Sequence, residues 1–255
     1  MFSRKLRNFG RMFGKMKPKG VYEYYLLKYV RKHDFNNREI KLKNGLNLSV
    51  NQKEGDLCTL YEIFIDEDYK FTNSYPEKIK ILDIGANIGY FSLYASMNYP
   101  KGSIYSFEPF PPTYKRLRDN ISNNNIHNIK SFPFAVADKI GKVNFYSIDW
   151  AGCNTLVPGK FDEGLYQLTE VDCIKFSDVF KLSGEDSFDF AKIDCEGSEY
   201  PIFLNSEPSD IKRVKEYVIE VHLDKVYKTV DLIDRFKELG YNTELNNNIL
   251  RAKLN

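Results

Sequence analysis

Asp83, Glu108, Asp138, Asp194, Glu196 and His222 each lie at or just past the end of an apolar run of the chain. Short apolar runs that stop at glycine, proline or an acid read as buried strands. The strands of a parallel sheet all end at one edge, so side chains at those positions gather there. Carboxylates on such an edge can hold a cationic or hydroxylated ligand. A histidine among them can exchange a proton near neutral pH.

The first of these places is Ile81-Leu82-Asp83-Ile84-Gly85-Ala86-Asn87-Ile88-Gly89-Tyr90, a strand running into a glycine turn and then a helix. Gly85 lets the backbone turn and approach a ligand without a Cβ clash. Asn87 lies in the turn, and Gly89 permits close packing at the helix start. The spacing after Asp83 is Gly-x-x-x-Gly, not the Gly-x-Gly-x-x-Gly of a dinucleotide site. Asp83 would repel a pyrophosphate, but it suits the ammonium and sulfonium of S-adenosyl-L-methionine. Backbone N–H groups at the helix start are expected to take that ligand's carboxylate.

Glu108, in Phe107-Glu108-Pro109, ends the second strand near the spacing at which an acid receives ribose hydroxyls. Asp138 follows Ala135-Val136-Ala137 near the same edge. Its carboxylate can accept from an adenine amino group, and the Ala137 or Asp138 N–H can reach a ring nitrogen. Singly, each is also an ordinary strand end or turn acid. In order, and at these separations, they favour a nucleoside-bearing ligand.

Lys192-Ile193-Asp194-Cys195-Glu196-Gly197-Ser198-Glu199 is the most unusual stretch, with three acids and a lysine at the end of a buried strand. Asp194 can steady a sulfonium or take a proton from an acceptor, with Glu196 orienting. Glu220 and His222 end the next strand, and His222 is a candidate general base. Helix capping by Asp194 and Glu196 ranks second. A divalent metal held by Asp194, Glu196 and His222 ranks third. Asn154 is a candidate acceptor contact.

The elements that must position these groups follow from periodicity. Strands are expected over 80–84, 103–107, 129–135, 142–148, 169–174, 188–194 and 216–221. Helices are expected over 90–98, 112–123, 199–205 and 230–239, and the chain closes in a hairpin over 241–253. This α/β alternation implies a mostly parallel sheet covered by helices on both faces. Residues 1–73 read as an N-terminal extension, with a helix at 22–32 and a hairpin at 39–50 turning at Asn44-Gly45. Residues 74–255 read as the ligand-binding domain.

The chain has 255 residues and a net charge of +2, so no overall field points to nucleic acid. Residues 1–20 carry seven lysines and arginines and no acid, interleaved with Phe2, Leu6, Phe9, Met12, Phe13 and Met16. Such a helix can lie on an anionic membrane, although a tail or a helix packed on the domain is favoured. Four cysteines without paired spacing suggest a cytoplasmic protein with free thiols.

Taken together, residues 83–92, 107–109, 135–138 and 192–199 resemble the FkbM family of class I methyltransferases, over roughly Gly55 to Gly240. The resemblance implies a Rossmann-like sheet with a reversed final strand and O-methylation, often of sugars, glycans or polyketide-derived products. The expected partner is therefore a small-molecule or glycan acceptor. A nucleic-acid or protein methyltransferase is the alternative. Base-methylating enzymes carry Asn-Pro-Pro-aromatic where this chain has Asp194-Cys195-Glu196-Gly197. A nicotinamide oxidoreductase is disfavoured, because the Tyr-x-x-x-Lys spacing at Tyr24–Lys28 precedes the glycine turn.

Overall fold

The computed structural model describes residues 10–29, 38–51, 55–147, 155–156 and 166–255. Asn154 and the basic positions before residue 10 lie outside these.

Among the described residues, seven strands form the central sheet: β3 (Lys80–Ile84), β4 (Ser103–Phe107), β5 (Ile129–Phe132), β9 (Phe190–Ile193), β10 (Glu216–Glu220), β11 (Tyr241–Asn246) and β12 (Ile249–Leu254). Their order across the sheet is β11-β12-β10-β9-β3-β4-β5. Strands β5, β4, β3, β9 and β10 pair in parallel. The last strand, β12, is antiparallel to both of its neighbours, as the resemblance implied. The sheet order reverses between β3 and β9, so a crevice opens at their carboxyl ends.

Alternation along each strand sorts the apolar residues into two cores. Ile81, Ile104, Phe190 and Val218 face one cluster. Leu82, Tyr105, Ala191 and Ile219 face the other. Helices α3 (Tyr90–Asn98), α4 (Pro111–Asn123), α5 (Phe176–Ser183), α6 (Glu199–Asn205) and α7 (Thr229–Glu238) flank the sheet. Pro201 sits in the first turn of α6, where its missing N–H costs no helical bond.

The N-terminal part carries α1 (Pro18–Tyr29), the hairpin β1 (Arg38–Lys41) and β2 (Asn47–Val50), and α2 (Asp56–Tyr61). Met12, Met16, Ile40 and Leu48 share the first apolar cluster with Ile79 and Ile81, so both sides of the expected boundary at 73–74 build one core. Arg11 and Lys15 pair with Asp66 and Glu67. The described part of the basic segment thus turns its apolar side inward. Helix α2 continues into a π-helix over Glu62–Asp66. Among the described residues no helix is long and apolar enough to cross a membrane.

Two expected strands leave the main sheet. The third strand breaks after Phe132 and resumes as β6 (Ala135–Ala137). With β7 (Gly141–Ser147) and β8 (Gln167–Lys175) it forms a separate three-stranded sheet, ordered β6-β8-β7.

The glycine turn is fixed by what crowds it. Gly85 has φ +73°, and a Cβ there would lie 1.7 Å from the Asp194 carbonyl oxygen. The close approach it makes is to the residue that follows β9. Gly89, at φ +86°, has Leu117 Cγ 3.2 Å from the Cβ position, in line with its packing role. Gly85→Ala is expected to lower the unfolding free energy by at least about 3 kcal/mol, since backbone strain and overlap add. Urea unfolding measures this, and a loss below about 1 kcal/mol would contradict the packing.

Candidate active site

Strand register builds the site's foundation. Asp83 is the register partner of Lys192 on β9 and of Ser106 on β4. The row lies on the sheet face covered by the N-terminal part. Lys192 Nζ donates to the Gly85 carbonyl at 2.7 Å. It lies 3.5 Å from Asp83 Oδ1 and 3.2 Å from Asp194 Oδ2. Ser92 Oγ donates to Asp83 Oδ2 at 2.5 Å and lies 2.7 Å from Ser106 Oγ. The Tyr69 ring covers the ammonium, 5.5 Å from its centroid.

The Lys192 and Asp83 side chains are 3% and 0% exposed. Burial opposes the Lys192 charge, but the Asp194 and Asp83 carboxylates outweigh it and raise its pKa. Burial raises the Asp83 carboxyl above its usual range, against the pull of Lys192 and Ser92. Asp83 was expected to face a cationic ligand. It lies behind the cleft wall instead, and the cation it faces is Lys192. The sequence reading gave Lys192 no role, although a lone lysine inside a buried strand was a visible signal.

In front of this row is a cleft of about 600 Å³, lined by Gly85, Asn87, Glu108, Pro109, Asp194 and Glu196 among others. Glu108 is buried, and its two oxygens accept the N–H groups of Asn87 (2.9 Å) and Phe110 (3.0 Å). Burial pushes its carboxyl up to about 7, against those two hydrogen bonds. Asn87 is held at φ 49°. Its Oδ1 is buried without a hydrogen-bond partner, an orphan acceptor in a residue that lines the cleft. Within the turn, the N–H groups of Gly85 and Ala86 donate to the Phe107 carbonyl, that of Asn87 to Glu108, and that of Gly89 to Ala86, which makes the turn rigid.

Ala137 and Asp138 line a neighbouring cleft rather than this one. Asp138 is exposed and accepts from Asn205 Nδ2 at 2.9 Å. The break between β5 and β6 sets this pair apart from Glu108. An adenine contact by Ala137 and Asp138 therefore does not follow from the cleft that Glu108 lines. Gly89 packs on Leu117 and lines neither.

On the far side of Asp194 stands His222. Its Nδ1 lies 2.8 Å from Glu199 Oε1. Its Nε2 lies 3.3 Å from Glu196 Oε2, and 3.9 Å from both Asp194 Oδ1 and Glu220 Oε1. Glu199 is fully buried and organises the loop. Its Oε1 also accepts from the His222 N–H, and its Oε2 from the Gly197 N–H, each at 2.8 Å. From sequence, Glu199 stood only as one of the three acids after the buried strand, with no role of its own. Tyr69 OH donates to Glu220 Oε2.

Burial disfavours the imidazolium, but the bond to Glu199 and the charges of Glu199, Glu196 and Asp194 lift the His222 pKa to about 9. A base must be unprotonated, so the carboxylates around His222 disfavour the base role expected of it at neutral pH. For Asp194, burial also disfavours charge, yet Lys192 and His222 prevail and hold its carboxyl below the usual range. Its surroundings therefore favour the ionised form of Asp194. Asp194, Glu220 and His222 can each offer one ligand atom, all within 4.8 Å of one another, a set that suits a hard divalent cation. Glu220 replaces the Glu196 of the sequence reading.

Two stability measurements probe this network. Lys192→Met leaves buried carboxylates unpaired and is expected to cost about 3–5 kcal/mol in urea unfolding. A neutral effect would mean that the pair does not organise the core. His222 charges more readily folded than unfolded, so its contribution is full below pH 6.5 and fades as pH rises through about 9. The stability advantage of wild type over His222→Gln should thus shrink by about 3 kcal/mol across that window. A pH-independent difference would contradict the assigned protonation.

The Methyltransferase FkbM domain family matches residues 83–243, which contain the glycine turn, Glu108, Lys192, Asp194 and His222. The 31-O-demethyl-FK506 methyltransferase FkbM of Streptomyces tacrolimicus is 28% identical over 213 residues, covering 72% of this chain and 81% of that protein. Methyltransferase sdnD of Sordaria araneosa is 28% identical over 187 residues, covering 62% and 72%. The solved structure of methyltransferase FkbM from Methylobacillus flagellatus KT is similar with a TM-score of 0.49 at 15% identity, covering 71% of this chain and 45% of that one. With the family match spanning well over half of the chain, this protein belongs to the FkbM family of methyltransferases.

Proposed function

We propose that this methyltransferase uses S-adenosyl-L-methionine to methylate a hydroxyl oxygen of a sugar, a glycan or a similar small molecule. The observation that carries the proposal is Asp194: an ionised carboxylate on the cleft wall, held by Lys192 and beside the protonated His222. The residues present fit the cofactor. The orphan Oδ1 of Asn87 can accept from a polar group, Glu108 can accept from ribose hydroxyls through its remaining lone pairs, and Asp194 balances a positive centre. The cofactor supplies an electrophilic methyl group carried on a sulfonium.

The chain's own residues then do three things. Asp194 accepts the proton that the acceptor hydroxyl loses as the new C–O bond forms. Lys192 and His222 fix the orientation and charge of that carboxylate. Glu196, held at φ 55° in the loop, brings a third carboxylate to the cleft, beside Glu108 and Asp194. Orienting the acceptor oxygen and excluding water can account for up to about 7–11 kcal/mol of the barrier. The Streptomyces relative, a 31-O-demethyl-FK506 methyltransferase, is likewise named for an oxygen acceptor. The loop after β9 lacks the Asn-Pro-Pro-aromatic sequence of base-methylating enzymes.

Glu108→Ala removes a carboxylate from the cleft and is expected to raise the dissociation constant for S-adenosylhomocysteine at least about tenfold. Calorimetry reads it, and unchanged affinity would remove Glu108 from the cofactor site. Asp194→Asn should lower kcat for methyl transfer about 10²–10⁴-fold while S-adenosylhomocysteine affinity moves only a few-fold. Retained kcat in Asp194→Asn would exclude Asp194 as the base.

A further inference from the structure

The N-terminal part gathers lysines on the side away from its core. Met16 and Leu42 form an antiparallel bridge and are 0% and 1% exposed. That bridge sets Lys17 opposite Lys41 and Lys15 opposite Lys43. The backbone holds both pairs: the Lys17 N–H donates to the Lys41 carbonyl at 3.1 Å, and the Lys43 N–H to the Lys15 carbonyl at 2.8 Å. Gly20 seats the first turn of α1 on the same strand, because a Cβ there would lie 2.9 Å from the Lys41 carbonyl oxygen. Lys19 therefore joins the group, and all of these lysines are exposed. Lys15 pairs with Glu67. Among the described residues, none of the other four pairs with a carboxylate. Glu23 and Glu39 are the only acids within residues 10–29 and 38–51.

We propose that the platform of Lys17, Lys19, Lys41 and Lys43 docks the chain on an anionic lipid bilayer. The proposal stands apart from the methyltransferase reading. Three observations carry it. First, like charges face each other across the bridge, which lowers stability in water. A sheet of negative charge in front of them turns that repulsion into attraction, about fivefold in affinity for each lysine near the surface. Second, Tyr22 is 64% exposed and lies three positions after Lys19 on α1, on the same side of the helix. A tyrosine beside ammonium groups suits the headgroup level of a bilayer, where its apolar ring and its hydroxyl are both satisfied.

Third, the sequence that leads into the platform has the same character. Residues 1–9 set Phe2, Leu6 and Phe9 among Arg4, Lys5 and Arg7. Basic and apolar residues interleaved in this way partition into the boundary between headgroups and acyl chains. A polynucleotide fits less well. The platform lysines are point charges, without the planar fork by which arginine clamps a phosphate or a base edge. Diffuse surface charge is what such groups answer best. The packing of Met12 and Met16 into the core is no obstacle. The segment turns its apolar side to the protein and its ammonium groups to the lipid.

The test is sedimentation of the full chain with lipid vesicles at about 0.1 M salt. One set is phosphatidylcholine alone, and the other is phosphatidylcholine and phosphatidylglycerol in equal parts. Binding to the mixed vesicles is expected to be at least about tenfold tighter than to the neutral ones, and to weaken as salt rises. The double variant Lys41→Gln, Lys43→Gln should weaken binding to the mixed vesicles at least about tenfold, and so should Lys17→Gln, Lys19→Gln. All four positions are exposed and none lines the cleft, so urea unfolding and S-adenosylhomocysteine affinity should match the wild type. Lys41 and Lys43 lie outside residues 1–9, so their variant separates the platform from the leading segment. Equal binding to the two kinds of vesicle, or undiminished binding in the folded Lys41 and Lys43 variant, overturns the inference. Displacement of the chain from the mixed vesicles by a single-stranded RNA oligonucleotide at equal phosphate concentration overturns it in favour of a polynucleotide partner.

Discussion

One buried ammonium organises this molecule. Lys192 stands on a central strand, inside the sheet, with Asp83 as its register partner and Asp194 two residues along its own strand. An unpaired charge at that depth is prohibitive, so the carboxylates are required by the lysine as much as the lysine by them. The same ammonium also binds the Gly85 carbonyl. It thereby joins the two chain segments that flank the crevice where the sheet order reverses. The glycine turn and the loop after β9 are held together from behind, and the cleft in front of them is formed before any ligand arrives. The N-terminal part is a working portion of this arrangement, because Tyr69 covers the ammonium and bonds Glu220.

Charge is distributed accordingly. Along one edge lie Asp194, Glu196, Glu199 and Glu220, and the two cations that answer them are Lys192 and His222. Both are favoured in the protonated form by the surrounding carboxylates. Their effect is to keep Asp194 ionised while Glu108, buried and bonded only to backbone N–H groups, rises to about 7. Two carboxylates lining one cleft therefore differ in proton affinity because of what stands behind each. Such separation is the usual basis for dividing acid–base and binding roles within one site.

Much of this was legible in the sequence, and the limits have physical causes. The strands ending at Asp83, Glu108 and Asp194 follow from short apolar runs, and the turn follows from Gly85 and Gly89. Those are local signals, and the sheet order accords with the resemblance. What could not be read locally was which side chain meets which. The contact of Asp83 with Lys192 depends on the register of two strands 109 positions apart. The turn N–H groups looked available because their partner, the Phe107 carbonyl, belongs to another strand. His222 looked like a base because an isolated imidazole is one; four carboxylates around it reverse that. The separation of Asp138 from Glu108 arises from a two-residue break after Phe132, and apolar periodicity runs straight through it.

A crystal structure of the chain with S-adenosylhomocysteine tests the central claim most directly. The account predicts the nucleoside in the cleft lined by Glu108 and Asn87, with Lys192 Nζ still within hydrogen-bond distance of the Gly85 carbonyl and Asp83 untouched by ligand. A complex in which the ligand's ammonium displaces Lys192 and bonds Asp83 directly would contradict it.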